Sequence, residues 1–117
     1  MVGQVKGHET IVLQGRFHLY EGYTPREVTF PIRVLQELGI KTLIVSNAAG
    51  GMNPDFEIGD IMVINDHINL MPNPLLGKHF PEFGARFPDM SETYNRGLLQ
   101  KARALAASPG IKSHEGC

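Results

Sequence analysis

Thr24–Gly51, TPREVTFPIRVLQELGIKTLIVSNAAGG, decides the fold. It opens with a helix-start signature: Thr24 as cap, Pro25 in the first turn and Glu27 three residues after the cap. Val28, Ile32, Leu35 and Leu38 follow at helical spacing, and Gly39 supplies a stop. Pro31 falls inside this pattern, which predicts either a kink or a second helix start at Thr29. Lys41–Ser46 (KTLIVS) then reads as a buried strand that delivers the chain into the small-residue run Asn47–Gly51. A helix between two strands is a βαβ-like unit, so the pattern predicts an α/β class with parallel pairing around this helix.

The flanks fit that class. Thr10–Gln14 (TIVLQ) reads as a strand interrupted by Gly15, with Val2–Val5 as its hairpin partner and Lys6–Glu9 as the connection. Asp60–Asn65 (DIMVIN) is a further apolar strand after a turn at Gly59. Met71–Met90 holds four prolines, two glycines and three phenylalanines without a period, the signature of a long irregular loop. A last helix is expected from Ser91 to about Ala107, with Tyr94, Leu98, Leu99, Ala102 and Leu105 as its apolar stripe, ended by Ser108-Pro109-Gly110. No repeat, low-complexity tract or linker divides the chain, so residues 1–117 read as a single domain.

Bulk composition narrows the function classes. Hydrophobic residues at 42% and charged residues at 20% are ordinary for a globular protein. A formal net charge of -1 offers no global basic field for nucleic acid, and no apolar run approaches the roughly 20 residues of a membrane span. The N-terminus lacks a basic-then-apolar signal, and the single cysteine, Cys117, has no internal partner, so a cytoplasmic location is expected. The histidines show no metal-ligand spacing, and no metal site is expected.

Four stretches carry candidate chemistry. In Gly15–Gly22 (GRFHLYEG), an extended backbone would project Arg16, His18 and Tyr20 to one side and Phe17 and Leu19 to the other. Arg and His side by side are donors suited to an oxyanion, and Tyr adds an aromatic wall with a hydroxyl suited to a sugar. The bland alternative is an amphipathic edge strand with solvated charges. Asn47–Gly51 (NAAGG) lies where ligands bind in open α/β sheets, past the carboxyl end of a strand. Its small residues would let the Ala48 amide approach an anion; the alternative is an ordinary turn packed with small residues. Asp66–Asn69 (DHIN) allows His67 as a general base oriented by Asp66, against the favoured reading of a loop closed by Asp and Asn bonds to backbone. In Glu82–Met90, Phe83 and Phe87 are either anchors for a partner subunit or aromatics folded back on their own loop.

Taken together, GRFHLYEGY, VTFPIRV, SNAAGGMNPDFEIGDIM, DHINLM and GARFPDMS resemble, in order and spacing, the trimer-type purine nucleoside phosphorylases. The similarity runs from about Gly7 to at least Tyr94, and SNAAGG separates the chain from the related methylthioadenosine phosphorylases. The resemblance implies a three-layer phosphorylase-like α/β fold with a central mixed sheet, of which residues 1–117 are a central, incomplete part. It implies phosphate-binding roles for Arg16, His18, the backbone at Phe17 and the Ala48 amide, and nucleoside-facing roles for Tyr20, Asn47 and Phe87. Phe87 would be lent to the sugar pocket of a neighbouring subunit. No covalent catalyst is implied within the chain, and no cofactor beyond inorganic phosphate as co-substrate. The implied reaction is phosphorolysis of purine nucleosides, with purine nucleoside and phosphate as ligands and a homotrimer as the assembly. The family's glycine-rich phosphate loop and its purine-recognising glutamate and asparagine have no counterpart in residues 1–117, and His114–Gly116 would enter a strand leading towards the latter. The competing expectation is a non-catalytic module kept for oligomer contacts or weak anion binding.

Overall fold

The computed structural model describes residues 1–117, and its contacts divide the chain into two compact units. One comprises Met1–Leu43 and Pro72–His79, the other Ile44–Met71 and Phe80–Cys117.

The first unit begins with an antiparallel hairpin of β1 (Val2–Val5) and β2 (His8–Ile11), in which Val2 pairs with Ile11 and Val5 with His8. The connection is tighter than the sequence suggests: Lys6 and Gly7 alone make the turn, both at positive φ, a two-residue geometry that matches strand twist. The strand expected over Thr10–Gln14 therefore sits earlier, because its ladder ends where the partner strand ends. Backbone bonds between Met1 and Val12 close the pair.

Helix α1 (Pro25–Glu37) follows the predicted cap closely. The Thr24 hydroxyl accepts the Glu27 amide, and the Glu27 carboxylate accepts the Thr24 amide at 2.7 Å. Those Thr24 donors, amide first, hold the Glu27 carboxyl below its ordinary value. The expected break at Pro31 does not occur, and the helix runs through it as one element. Pro31 withholds one amide from the ladder, while the Thr29 hydroxyl donates to the carbonyls of Pro25 and Arg26 in the turn before. In this unit Arg26 also reaches across to the Leu76 carbonyl at 3.2 Å.

The second unit contains the parallel pairing, around a different helix from the one expected. β3 (Ile61–Ile64) pairs in parallel with β4 (Ser113–Gly116), Ile61 opposite Ser113 and Ile64 opposite Gly116, and α2 (Arg96–Ala106) is the crossover between them. Parallel neighbours need such a crossover, and α2 packs on β3 with Ala106 as its buried residue. The Ser113 hydroxyl ties β4 to the last turn of α2 by donating to the Ala106 carbonyl at 3.0 Å. The cap of α2 is Asn95, four residues after the expected cap Ser91, because the Asn95 side chain accepts the Leu98 amide, and the helix starts at Arg96. Tyr94 thus lies outside the helix it was expected to stripe.

The strand expected at Lys41–Ser46 carries no regular secondary structure. A strand exists only through its ladder, and β1–β2 and β3–β4 are the two pairs present. Its apolar side chains stay exposed, Ile44 at 87%. The chain is α/β, with its strands in one antiparallel and one parallel pair.

Candidate functional site

Gly15–Gly22 departs from the extended run assumed for it. His18 is extended, but Leu19–Glu21 form a 3-10 turn ended by Gly22, so strict alternation of faces stops at His18. His18 and Tyr20 come together by a different route. Their rings stack, centroids 4.7 Å apart and 18° between planes, while Phe17 packs edge-on against Tyr23 at 5.0 Å. Tyr20 remains 83% exposed, presenting its outer face and hydroxyl to solvent.

Glu21 is the residue the sequence reading passed over. One oxygen of its carboxylate accepts the His18 backbone amide at 2.8 Å and meets His18 Nδ1 at 3.0 Å. The amide bond first, and then the ring contact, hold the Glu21 carboxyl below the ordinary range, so it stays a carboxylate. A carboxylate on Nδ1 fixes the imidazole's orientation and puts a proton on that nitrogen, leaving Nε2 directed elsewhere. Glu three residues after His18 is the capping-box spacing, the signal that could have found it.

In the second unit, Asn47–Gly51 has no regular structure, and the Asn47 side chain donates to the Ala48 carbonyl at 3.1 Å. Gly51 lies close against Phe56: a Cβ there would lie 3.1 Å from the Phe56 ring, tighter than an ordinary contact. Phe56 in turn lies tilted against His114, centroids 4.3 Å apart and 33° between planes. His114 Nε2 meets Asp60 at 2.6 Å, and Lys112 lies between Asp60 and Glu57. The Asp60 carboxyl is held low, first by the Glu57 amide and then by His114 and Lys112. The small-residue loop is therefore seated, through Phe56, on a charged cluster of the βαβ unit.

The Asp66–Asn69 stretch takes its structural reading. Asp66 accepts the backbone amide of His67 rather than a ring nitrogen, and Asn69 accepts the Met71 amide. Phe80 and Phe83 fold onto each other at 6.5 Å, whereas Phe87 is 85% exposed with the Arg86 guanidinium 5.7 Å from its ring centre. Of the predicted residues, Arg16, Phe17, His18 and Tyr20 belong to the first unit, and Asn47, Ala48 and Phe87 to the second. No cluster of three or more His, Cys, Asp or Glu side chains is placed to hold a metal, and no helix is long and apolar enough to cross a membrane.

Comparison with known proteins fits this geometry. The chain is 53% identical over 115 residues to purine nucleoside phosphorylase 1 of Geobacillus stearothermophilus, covering 97% of this chain and 42% of that protein. It is 55% identical over 104 residues to the mouse (Mus musculus) purine nucleoside phosphorylase, covering 86% of this chain and 36% of the relative. A crystal structure of a purine nucleoside phosphorylase in complex with ribose-1-phosphate superposes with a TM-score of 0.90 at 43% identity, over 98% of this chain and 45% of that one. The Schistosoma mansoni enzyme, solved with a monocyclic inhibitor, superposes equally well at 42% identity, over 97% of this chain and 45% of its own. The chain thus spans less than half the length of the relatives it matches. The phosphorylase superfamily profile matches residues 1–117 throughout, and the chain belongs to that superfamily.

Proposed function

We propose that this chain carries the phosphate- and ribose-facing part of a purine nucleoside phosphorylase site, and that the whole protein cleaves purine (deoxy)ribonucleosides with phosphate. The observation that carries this reading is the His18 arrangement. Glu21 orients the imidazole on one side, Tyr20 stacks on it, and Arg16 stands two residues away. Arg16 and His18, with the Phe17 backbone, then hold an oxyanion, while Tyr20 faces the sugar. By the family resemblance the Ala48 amide is assigned to phosphate and Asn47 to the base, and Phe87 serves the sugar pocket of a neighbouring subunit in a cytoplasmic homotrimer. Residues 1–117 form one partial domain of that protein.

In the reaction, a phosphate oxygen forms a bond to the anomeric carbon as the N-glycosidic bond breaks. The bonding electrons leave with the purine, which takes a proton, and the sugar departs as the 1-phosphate. The sugar passes through an oxocarbenium-like state, so a phosphate anion held beneath it stabilises the developing positive charge. Arg16 and His18 act as positioners of that anion.

The second reading is a non-catalytic anion-binding module. A phosphorolysis assay of the 117-residue chain on inosine separates the two for this polypeptide. We expect no turnover, together with phosphate-dependent shifts of the His18 ring resonances. Measurable turnover would exclude the module, and a His18 ring indifferent to phosphate would overturn the site.

A further inference from the structure

Two side-chain pairs that the proposed reaction leaves unused close the base of the longest irregular stretch. His67 Nε2 meets the Tyr94 hydroxyl at 2.5 Å, with the rings 5.5 Å apart. Beside it, the Thr93 hydroxyl donates to the Asp66 carboxylate at 3.1 Å. Neighbours thus pair with neighbours, 66 with 93 and 67 with 94. One contact would leave a pivot; two adjacent ones fix orientation as well as distance. Both sides of this closure are anchored to regular structure. β3 ends at Ile64, two residues before Asp66, and the Asn95 cap starts α2 one residue after Tyr94.

The leg from this closure back towards Phe87 is tied at Met90 and at Asp89. Thr93 also reaches the Met90 carbonyl at 3.2 Å, and Asp89 accepts both the amide and the hydroxyl of Ser91, at 2.8 and 2.6 Å. An aromatic that is 85% exposed has little packing of its own to fix it. Its placement falls to the backbone that carries it. We propose that Asp66 and His67 are positioning residues that form, with Thr93 and Tyr94, a two-point latch holding the backbone of Phe87. The consequence for nucleoside binding rests on the proposed role of Phe87; the latch itself does not.

Hydrogen exchange on the full chain tests this with Tyr94→Phe, Thr93→Val and Thr93→Ser. Tyr94→Phe keeps the ring against His67 and removes only the hydroxyl. Losing one such bond should speed amide exchange in Arg86–Glu92 by about threefold to tenfold. Exchange in α2 should stay unchanged, Thr93→Ser should restore what Thr93→Val loses, and the His67 ring nitrogen signals should move in Tyr94→Phe. Unchanged exchange in Arg86–Glu92 would overturn the latch. So would equal acceleration throughout α2, which would make these contacts general packing. Phe87→Ala, read by saturation-transfer binding of inosine, reports separately: unchanged binding removes the role of Phe87 while the exchange result still decides the latch.

Discussion

In the βαβ unit, charged side chains reach far along the chain. His114 meets Asp60 across 54 positions, and Glu115 accepts from Asn65 across 50 while also pairing with Arg103 on α2. In the Gly15–Gly22 segment, His18 meets Glu21 across 3, and in the small-residue loop Asn47 meets Ala48 across 1. Distant pairs hold separate elements together, and Glu115 of β4 joins Asn65, just past the end of β3, to the last turn of α2. Near pairs hold only a side chain's direction. The first kind consumes a residue's bonding capacity in the fold. The second orients a ring by one edge and leaves the other for a ligand, as Glu21 does for His18. Side-chain chemistry alone does not separate the two regions, since each contains His beside a carboxylate; the span of the bond does.

Substitutions in the locally held segment should therefore cost binding and spare the fold. Arg16→Ala and His18→Ala each remove a side chain that the proposed site assigns to phosphate, so affinity should fall by roughly 10- to 100-fold with an unchanged unfolding midpoint. Phosphate titration followed by NMR, beside thermal melts, measures both. A lowered melting point with intact affinity would reverse the assignment of the segment.

Gly51→Ala sharpens the other side of the contrast. Its new Cβ would press on Phe56 and, through Phe56, on the ring of His114. Stability should fall by about 1 kcal/mol, the lower end of the cost of overpacking, with movement of the His114 ring signals. Chemical denaturation that shows no change would mean the loop shifts independently of the βαβ unit.

The smallest effect comes from acid. Glu21, Asp60 and Glu115 all have carboxyls held below their ordinary values by their donors: the His18 amide for Glu21, the Glu57 amide for Asp60 and Arg103 for Glu115. A carboxyl depressed in the folded state adds stability above its unfolded value, and that stability is lost as pH falls through the folded one. Stability should accordingly decline below about pH 4. The decline should be shallower in both Glu115→Gln and Glu21→Gln, more so in Glu115→Gln, and only Glu21→Gln should lower phosphate affinity severalfold. Circular dichroism melts between pH 3 and 6 distinguish these, and equal effects of the two substitutions would erase the contrast between regions.

Much of this molecule is legible in particular residues. Thr24, Pro25 and Glu27 announce α1 because capping is local chemistry, complete within four residues. Asp60–Asn65 announces β3 by its apolar run, and Ser108-Pro109-Gly110 marks the end of α2. The site segments are legible for a related reason: GRFHLYEG and SNAAGG are contiguous, so residue type and order carry them. The start of α2 was misplaced because Ser91 and Asn95 are both competent caps. Ser91 is drawn instead into a turn with Asp89, which leaves the cap to Asn95.

The sequence by itself determined the α/β class, the capped helix and the hairpin, and it supplied the residues that the proposal assigns to phosphate and sugar. These depend on patterns within a few neighbouring positions. Only the tertiary structure decided which strands pair, since an apolar run such as Lys41–Ser46 suggests a strand without naming a partner, and this one forms no ladder. It also decided that α2 is the crossover of the parallel unit and that a 3-10 turn stacks His18 on Tyr20. Finally, it joined Asp66 and His67 to Thr93 and Tyr94, because bonds across 27 residues depend on where the intervening chain returns.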